Sequence, residues 1–228
     1  MSEIFHFRAA IFDLDGTLLN TLPGIQTSAY LMLKDYELAN VGPAEIRRFV
    51  GDGATMLVTR LLEHANGGKV PVPEALERYL SHFHRHCLDD IAPYPGIPEL
   101  LNFLHSQNIP VAVCTNKPQD LAEINIHACF PDNSFLHILG DSPDHPKKPA
   151  PDGALRLAQA MQATPSQCLY IGDTNTDMRT GQAAGMFTVG AAWGFRSRNE
   201  LAAFRPDYLA ETPDQLLNYL SKTMQNEN

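Results

Sequence analysis

Two aspartates, Asp13 and Asp15, stand one residue apart at the end of the apolar run Ala9-Ala10-Ile11-Phe12, with Gly16 and Thr17 directly after them. Two carboxylates about 4 Å apart repel by roughly 4 kcal/mol at an effective dielectric of about 20. A chain accepts that repulsion where a cation lies between the groups or where the groups do chemistry. Two further apolar runs end in polar clusters. Val111-Ala112-Val113-Cys114 leads into Thr115-Asn116-Lys117, and Cys168-Leu169-Tyr170-Ile171 leads into Gly172-Asp173-Thr174-Asn175-Thr176-Asp177. Lys148, in "KKPAPDG", sits on a loop ahead of a helical pattern.

The residue types suit a phosphate group. Asp13, Asp15 and Asp173 offer hard oxygen ligands, which fit Mg²⁺ rather than zinc. Gly16, in a tight turn, exposes backbone N–H groups able to cradle an anion. Thr115 adds a hydroxyl and an N–H near a helix start, again an anion site. Lys148 adds a point charge. One carboxylate can attack phosphorus; another can protonate the leaving oxygen and later activate water. Each cluster alone has a plainer reading, as helix caps around Thr115, Asn116, Asp173, Thr174 and Asp177, or as a solvated lysine at 148. Their recurrence at three strand ends points to one site, because ligands of open α/β sheets bind beyond the carboxyl ends of the strands.

The elements that must position these groups follow from periodicity. "AAIF" (9–12), "VAVC" (111–114), "FLHIL" (135–139), "CLYI" (168–171) and "FTVG" (187–190) read as buried parallel strands. Helical patterns lie between them. Leu100, Leu101 and Leu104 share one face, as do Leu155, Ala158 and Met161, the latter helix starting at Pro151 and Asp152. The alternation predicts an α/β fold with a parallel sheet and helices on both faces. Residues 20–91 break it. They read as helices near 23–37, 43–49, 54–65 and 73–89, with no strand. The predicted organisation is an α/β core from 1–19 and 92–228, with a helical domain inserted at 20–91. The final "QNEN" reads as a frayed end.

Composition excludes several classes. The 228 residues carry a formal net charge of −9, which opposes a nucleic-acid-binding surface. No apolar run approaches a membrane span, and the N-terminus lacks a secretory layout. The cysteines Cys87, Cys114, Cys129 and Cys168 form no C-x-x-C pair and read as small hydrophobes of a reducing compartment, so a cytoplasmic protein is expected. "HFHRHC" places His82 and His86 on one helix face with His84 elsewhere. Without a local carboxylate partner, this reads as a solvated helix rather than a metal site. In "VGDGATML", Gly51 and Gly53 allow a substrate-facing turn at a helix start. No strand precedes it, so it is not a nucleotide fingerprint.

With "DLDGT", "CTNK", "KKPAPDG" and "GDTNTDM" as four motifs, the chain resembles the haloacid-dehalogenase-like hydrolases, in particular their phosphoglycolate-phosphatase-like group, over nearly its whole length. "YPGIPELL" and the segment from "AAWGFRS" onward resemble further features of that group. The resemblance implies a Rossmann-like three-layer core and a helical cap of the C1 type. It implies Asp13 as nucleophile and Mg²⁺ ligand, and Asp15 as general acid/base with its backbone carbonyl on the metal. Thr115 and the Asn116 backbone would bind phosphate oxygens, and Lys148 would stabilise charge near the nucleophile. Lys147 rivals it, but the K-P-x-P frame favours Lys148. Asp173 would be the third protein ligand of the metal, and Asp177 would support the metal or Lys148 from behind. Many relatives carry aspartate where this chain has Asn20, a position implied to lie at the hinge between core and cap.

The implied activity is Mg²⁺-dependent hydrolysis of a small phosphorylated metabolite through an aspartyl-phosphate, with phosphoglycolate the leading substrate. A phosphomutase resembling β-phosphoglucomutase, a pyrophosphatase and a nucleotidase use the same core. Asp15 disfavours a dehalogenase. The D-x-D-G-T spacing and the cap disfavour a phospho-accepting signalling module. The intact set of Asp13, Asp15, Lys148 and Asp173 disfavours a silent binding protein.

Overall fold

The computed structural model describes residues 7–130 and 134–225; the end expected to fray lies outside them from residue 226. In chain order the first elements are β1 (Ala9–Phe12), β2 (Leu19–Asn20), α1 (Leu22–Asp35), α2 (Pro43–Phe49), α3 (Ala54–His64) and α4 (Val72–His86). Then come β3 (Ala92–Pro93), α5 (Ile97–Ser106), β4 (Val111–Pro118), α6 (Gln119–Cys129), β5 (His137–Asp141) and α7 (Asp152–Ala160). The last are β6 (Cys168–Gly172), α8 (Asn175–Ala183), β7 (Phe187–Ala191), α9 (Arg198–Ala202), β8 (Tyr208–Ala210) and α10 (Pro213–Gln225).

Six strands pair in parallel in the order β5-β4-β1-β6-β7-β8. The unbroken apolar runs follow from burial on both faces. Alternate residues Ala10, Phe12, Val111, Val113, Leu169 and Ile171 pack on one side, with Leu100 and Leu104 of α5 and Leu216 and Leu220 of α10. Their neighbours Ala9, Ile11, Ala112, Cys114, Cys168 and Tyr170 pack on the other, with Ala154, Leu157 and Ala158 of α7. The three-layer architecture is therefore a period-two split of each strand. The strand expected at 135–139 lies two residues later, and β8 was not anticipated from the pattern of apolar runs.

Helices α1–α4 build a second apolar core, formed by residues such as Ala29, Met32, Val58, Leu61, Tyr79 and Phe83. Leu121 and Phe195 of the sheet half join it. The segment is not wholly strandless. At its two ends β2 and β3 pair antiparallel, Leu19 opposite Pro93 and Asn20 opposite Ala92. The chain thus enters and leaves the four helices through one two-stranded ribbon. A run of two residues carries no legible period, which is why the sequence pattern does not reveal it.

Gly24 sits where α1 crosses α4, and a Cβ there would stand 2.3 Å from the His86 carbonyl oxygen. Alanine would gain at most about 1 kcal/mol of helix propensity. Overpacking against a backbone atom costs about 1–3 kcal/mol. Gly24→Ala is therefore expected to destabilise the protein by about 1–2 kcal/mol in urea unfolding; an unchanged or raised midpoint would contradict this packing.

Candidate active site

The sheet order brings the three polar clusters together. Phe12 at the end of β1 is level with Val113 of β4 on one side and Ile171 of β6 on the other. The Asp13 N–H continues the ladder by donating to the Ile171 carbonyl at 2.8 Å. Asp13, Thr115 and Asp173 thereby emerge at one edge, where the chain order reverses around β1, as ligand sites of open α/β sheets do.

Asp13, Asp173 and Asp177 are buried, and one carboxylate oxygen of each lies within 4.8 Å of the others. Lys148 Nζ bridges two of them, 2.8 Å from Asp13 Oδ1 and 2.7 Å from Asp177 Oδ1. Asp177 Oδ2 accepts from the Thr174 N–H at 3.0 Å and its hydroxyl at 2.6 Å, closing a capping box on α8. One oxygen of Asp177 thus caps the helix and the other holds the lysine. Asp173 accepts from the Thr17 hydroxyl at 3.1 Å and the Phe195 N–H at 2.6 Å. Asn116 fixes the lysine's loop, its Oδ1 accepting from the Lys148 N–H at 2.9 Å and its Nδ2 donating to the Lys148 carbonyl at 3.1 Å. Lys147 points away to Asp141, at 2.7 Å.

Gly16, whose turn was expected to expose backbone N–H groups to an anion, donates its own N–H to the Leu19 carbonyl at 2.9 Å. Its glycine identity instead serves close approach: φ is +85°, and a Cβ would stand 2.3 Å from Asp173 Oδ2. Thr115 lies inside β4, close ahead of the start of α6, and its Oγ1 accepts from the Lys117 N–H at 3.2 Å. The three histidines do have carboxylate partners, each a different one. His82 meets Asp35 of α1 at 2.7 Å, His86 meets Asp89 at 2.7 Å, and His84 meets Asp120 of α6 at 3.3 Å. They do not converge.

Asp15 stands apart from the three-aspartate cluster and pairs with Lys117, Nζ to Oδ1 at 2.8 Å. Lys117 is the residue the sequence reading passed over. Its signal is position: it stands two residues after Thr115 on the same strand, in a motif otherwise already singled out. Both residues line a cavity of about 50 Å³ between the sheet edge and the helical segment. Asp13, Asp15 and Asn116 complete the polar side; Val50, Leu57, Tyr79 and Phe83 form the apolar side. Gly51 and Gly53 also line it, Gly53 at the N-cap of α3. The loop that carries them is pinned to the sheet half. Arg196 donates to the carbonyls of Arg47 and Arg48 at 2.9 Å and of Val50 at 2.7 Å. Thr176 donates to Asp52 at 2.6 Å, and Asn116 Nδ2 reaches the Gly51 carbonyl at 3.3 Å.

Electrostatics match a cation site. Burial, reinforced by the Asp177 charge and only partly offset by Lys148, pushes the Asp13 carboxyl up to about 7. Burial and the charges of Asp177 and Asp13 hold Asp173 well above the usual carboxylate range. Burial works against the Lys148 ammonium, but the carboxylates of Asp13 and Asp177 outweigh it and hold its pKa well above the ordinary value. Crowded hard oxygens that resist ionising fit a metal cation.

The chain matches the family model described as haloacid dehalogenase-like hydrolase over residues 10–191, and it belongs to that family. It is 33% identical to a phosphoglycolate phosphatase of Rhodospirillum rubrum over 202 residues, spanning 86% of this chain and 83% of the relative. Among solved structures, a predicted phosphoglycolate phosphatase of Haemophilus somnus superposes with a TM-score of 0.86 at 27% identity, covering 94% of this chain and 98% of the other. A haloacid dehalogenase-like family hydrolase of Streptococcus pneumoniae gives 0.82 at 28% identity, covering 94% and 99%.

The raised Asp13 carboxyl fixes a pH test. A carboxyl raised to about 7 on folding binds more protons in the folded than in the unfolded state, so the metal-free protein loses stability as pH rises from its unfolded value of 3.8 through 7. A cation that competes with those protons stabilises more at high pH. Mg²⁺ is expected to raise the melting temperature more at about pH 8 than at about pH 5, and Asp173→Asn to remove most of the gain. Identical melting curves with and without Mg²⁺ at the higher pH would rule the site out.

Proposed function

We propose that the protein is a divalent-cation-dependent phosphatase that hydrolyses a small phosphorylated metabolite, phosphoglycolate foremost, through phosphoryl transfer to Asp13. The observation that carries this reading is the Asp13 carboxylate, set among Asp173, Asp177 and Lys148 and open to a small cavity. Its relatives named as phosphoglycolate phosphatases support the substrate.

In this reading Asp13, Asp173 and the backbone at Asp15 would hold Mg²⁺, with Asp177 and Lys148 bracing them, and the ion would supply positive charge for the transferring phosphoryl group. An Asp13 oxygen attacks phosphorus in line with the leaving oxygen. The bond to the leaving oxygen breaks as a proton passes to it from Asp15. Asp15 then takes a proton from a water that attacks the aspartyl-phosphate, which releases inorganic phosphate and regenerates Asp13. Lys148 stabilises charge beside the nucleophile, and Thr115 with Asn116 orients phosphate oxygens. Residues 20–91 act as a cap that excludes water and shapes the space left for the leaving group.

Purified protein with Mg²⁺ is expected to release phosphate from phosphoglycolate, and EDTA to stop it. Asp13→Asn is expected to lower kcat by about a thousand-fold or more. Asp15→Asn should lower it by about 10²–10⁴. Phosphate release by Asp13→Asn at the wild-type rate would sink the mechanism. A screen of phosphorylated metabolites ranked by kcat/KM tests the substrate.

A further inference from the structure

Lys117 is a costly residue to place where it is. Its side chain is 2% exposed, and its wall neighbours Leu57, Tyr79 and Phe83 are apolar. A buried ammonium is tolerated when anions meet it. One of its three donors reaches Asp15 Oδ1 at 2.8 Å. The Phe83 ring faces it with its centroid 4.5 Å away. Among the described residues lining the cavity, Lys117 is the one cation; Lys148 is already engaged by Asp13 and Asp177.

We infer that Lys117 is the specificity residue that receives the carboxylate of the substrate's leaving group, so that the site selects phosphate esters of α-hydroxy acids. This rests on the phosphatase reading above. A leaving oxygen protonated by Asp15 must come within hydrogen-bond reach of its carboxyl group, about 2.6–3.2 Å. Lys117 Nζ lies at hydrogen-bond distance from that same carboxyl group. In an α-hydroxy-acid phosphate, the carboxylate is bonded to the carbon that bears the leaving oxygen. Once that oxygen is against Asp15, the carboxylate falls beside the ammonium. A neutral leaving group of the same size would add no anion to the one that Asp15 already offers Lys117. The apolar walls around Phe83 strengthen the discrimination, since a charge pair is worth more where water is excluded.

The test compares kcat/KM for phosphoglycolate and for 2-hydroxyethyl phosphate, in which a neutral hydroxymethyl group replaces the carboxylate. Wild type is expected to prefer phosphoglycolate, with glycolate a better competitive inhibitor than ethylene glycol. In Lys117→Met the preference ratio is expected to fall about 10- to 100-fold, the loss of a charge-assisted hydrogen bond, mainly through a higher KM for phosphoglycolate. Lys117→Arg is expected to keep part of the ratio, and it carries the test if the methionine variant does not fold. The ratio cancels any effect on Asp15 common to both substrates. An unchanged ratio in the folded variants would overturn the inference and leave the phosphatase reading intact. Equal efficiency of wild type on both esters would do the same. Absence of phosphate release from either ester, or from any phosphorylated metabolite, would overturn both.

Discussion

The structure depends on holding several carboxylates closer together than they would stay in water. Asp13, Asp173 and Asp177 share a buried space with a single lysine, and Asp15 meets a second lysine just outside it. Such a cluster keeps its shape only if each backbone is fixed independently of the charges. The sheet does this for Asp13, whose N–H is locked to β6. The Thr174 capping box does it for Asp177, and Asn116 does it for the loop of Lys148. Most of the polar side chains around the site hold another residue in place, and in doing so they keep the repelling groups from moving apart.

The two halves of the molecule divide the cavity by chemistry. The sheet edge contributes Asp13, Asp15, Thr115, Asn116 and Lys117, while the helical segment contributes Val50, Leu57, Tyr79 and Phe83. Arg196 and the Thr176–Asp52 bond tie the edges of the halves together through carbonyls and a carboxylate at the end of α2 and the turn after it. Polar contacts of this kind re-form easily after separation, because water satisfies the same groups in the interval. A seam fastened by apolar packing alone would part less readily.

The parts legible in the sequence were those whose cause is local or periodic. Double-sided burial makes β1, β4 and β6 read as unbroken apolar runs, so their carboxyl ends, and Asp13, Thr115 and Asp173 with them, could be marked in advance. Lys148 was separable from Lys147 because a family frame, not periodicity, distinguished two adjacent lysines. The parts not legible depend on pairing across the chain. The Gly16 N–H finds the Leu19 carbonyl only once the turn closes. His82 finds Asp35 on a different helix, 47 residues away. The role of Lys117 emerges only when Phe83 and Asp15 converge on it from two separate segments. β2 and β3 are too short to carry any pattern of their own.

The ribbon formed by β2 and β3 has a further consequence. Both crossings between the halves are side by side, with Asn20 level with Ala92. To the α/β half, the whole excursion of four helices is a loop whose ends already touch. Its length and contents can therefore be exchanged without shifting the register of β1 against β4 or β6. The charged cluster thus sits on one side of this ribbon and the apolar wall on the other.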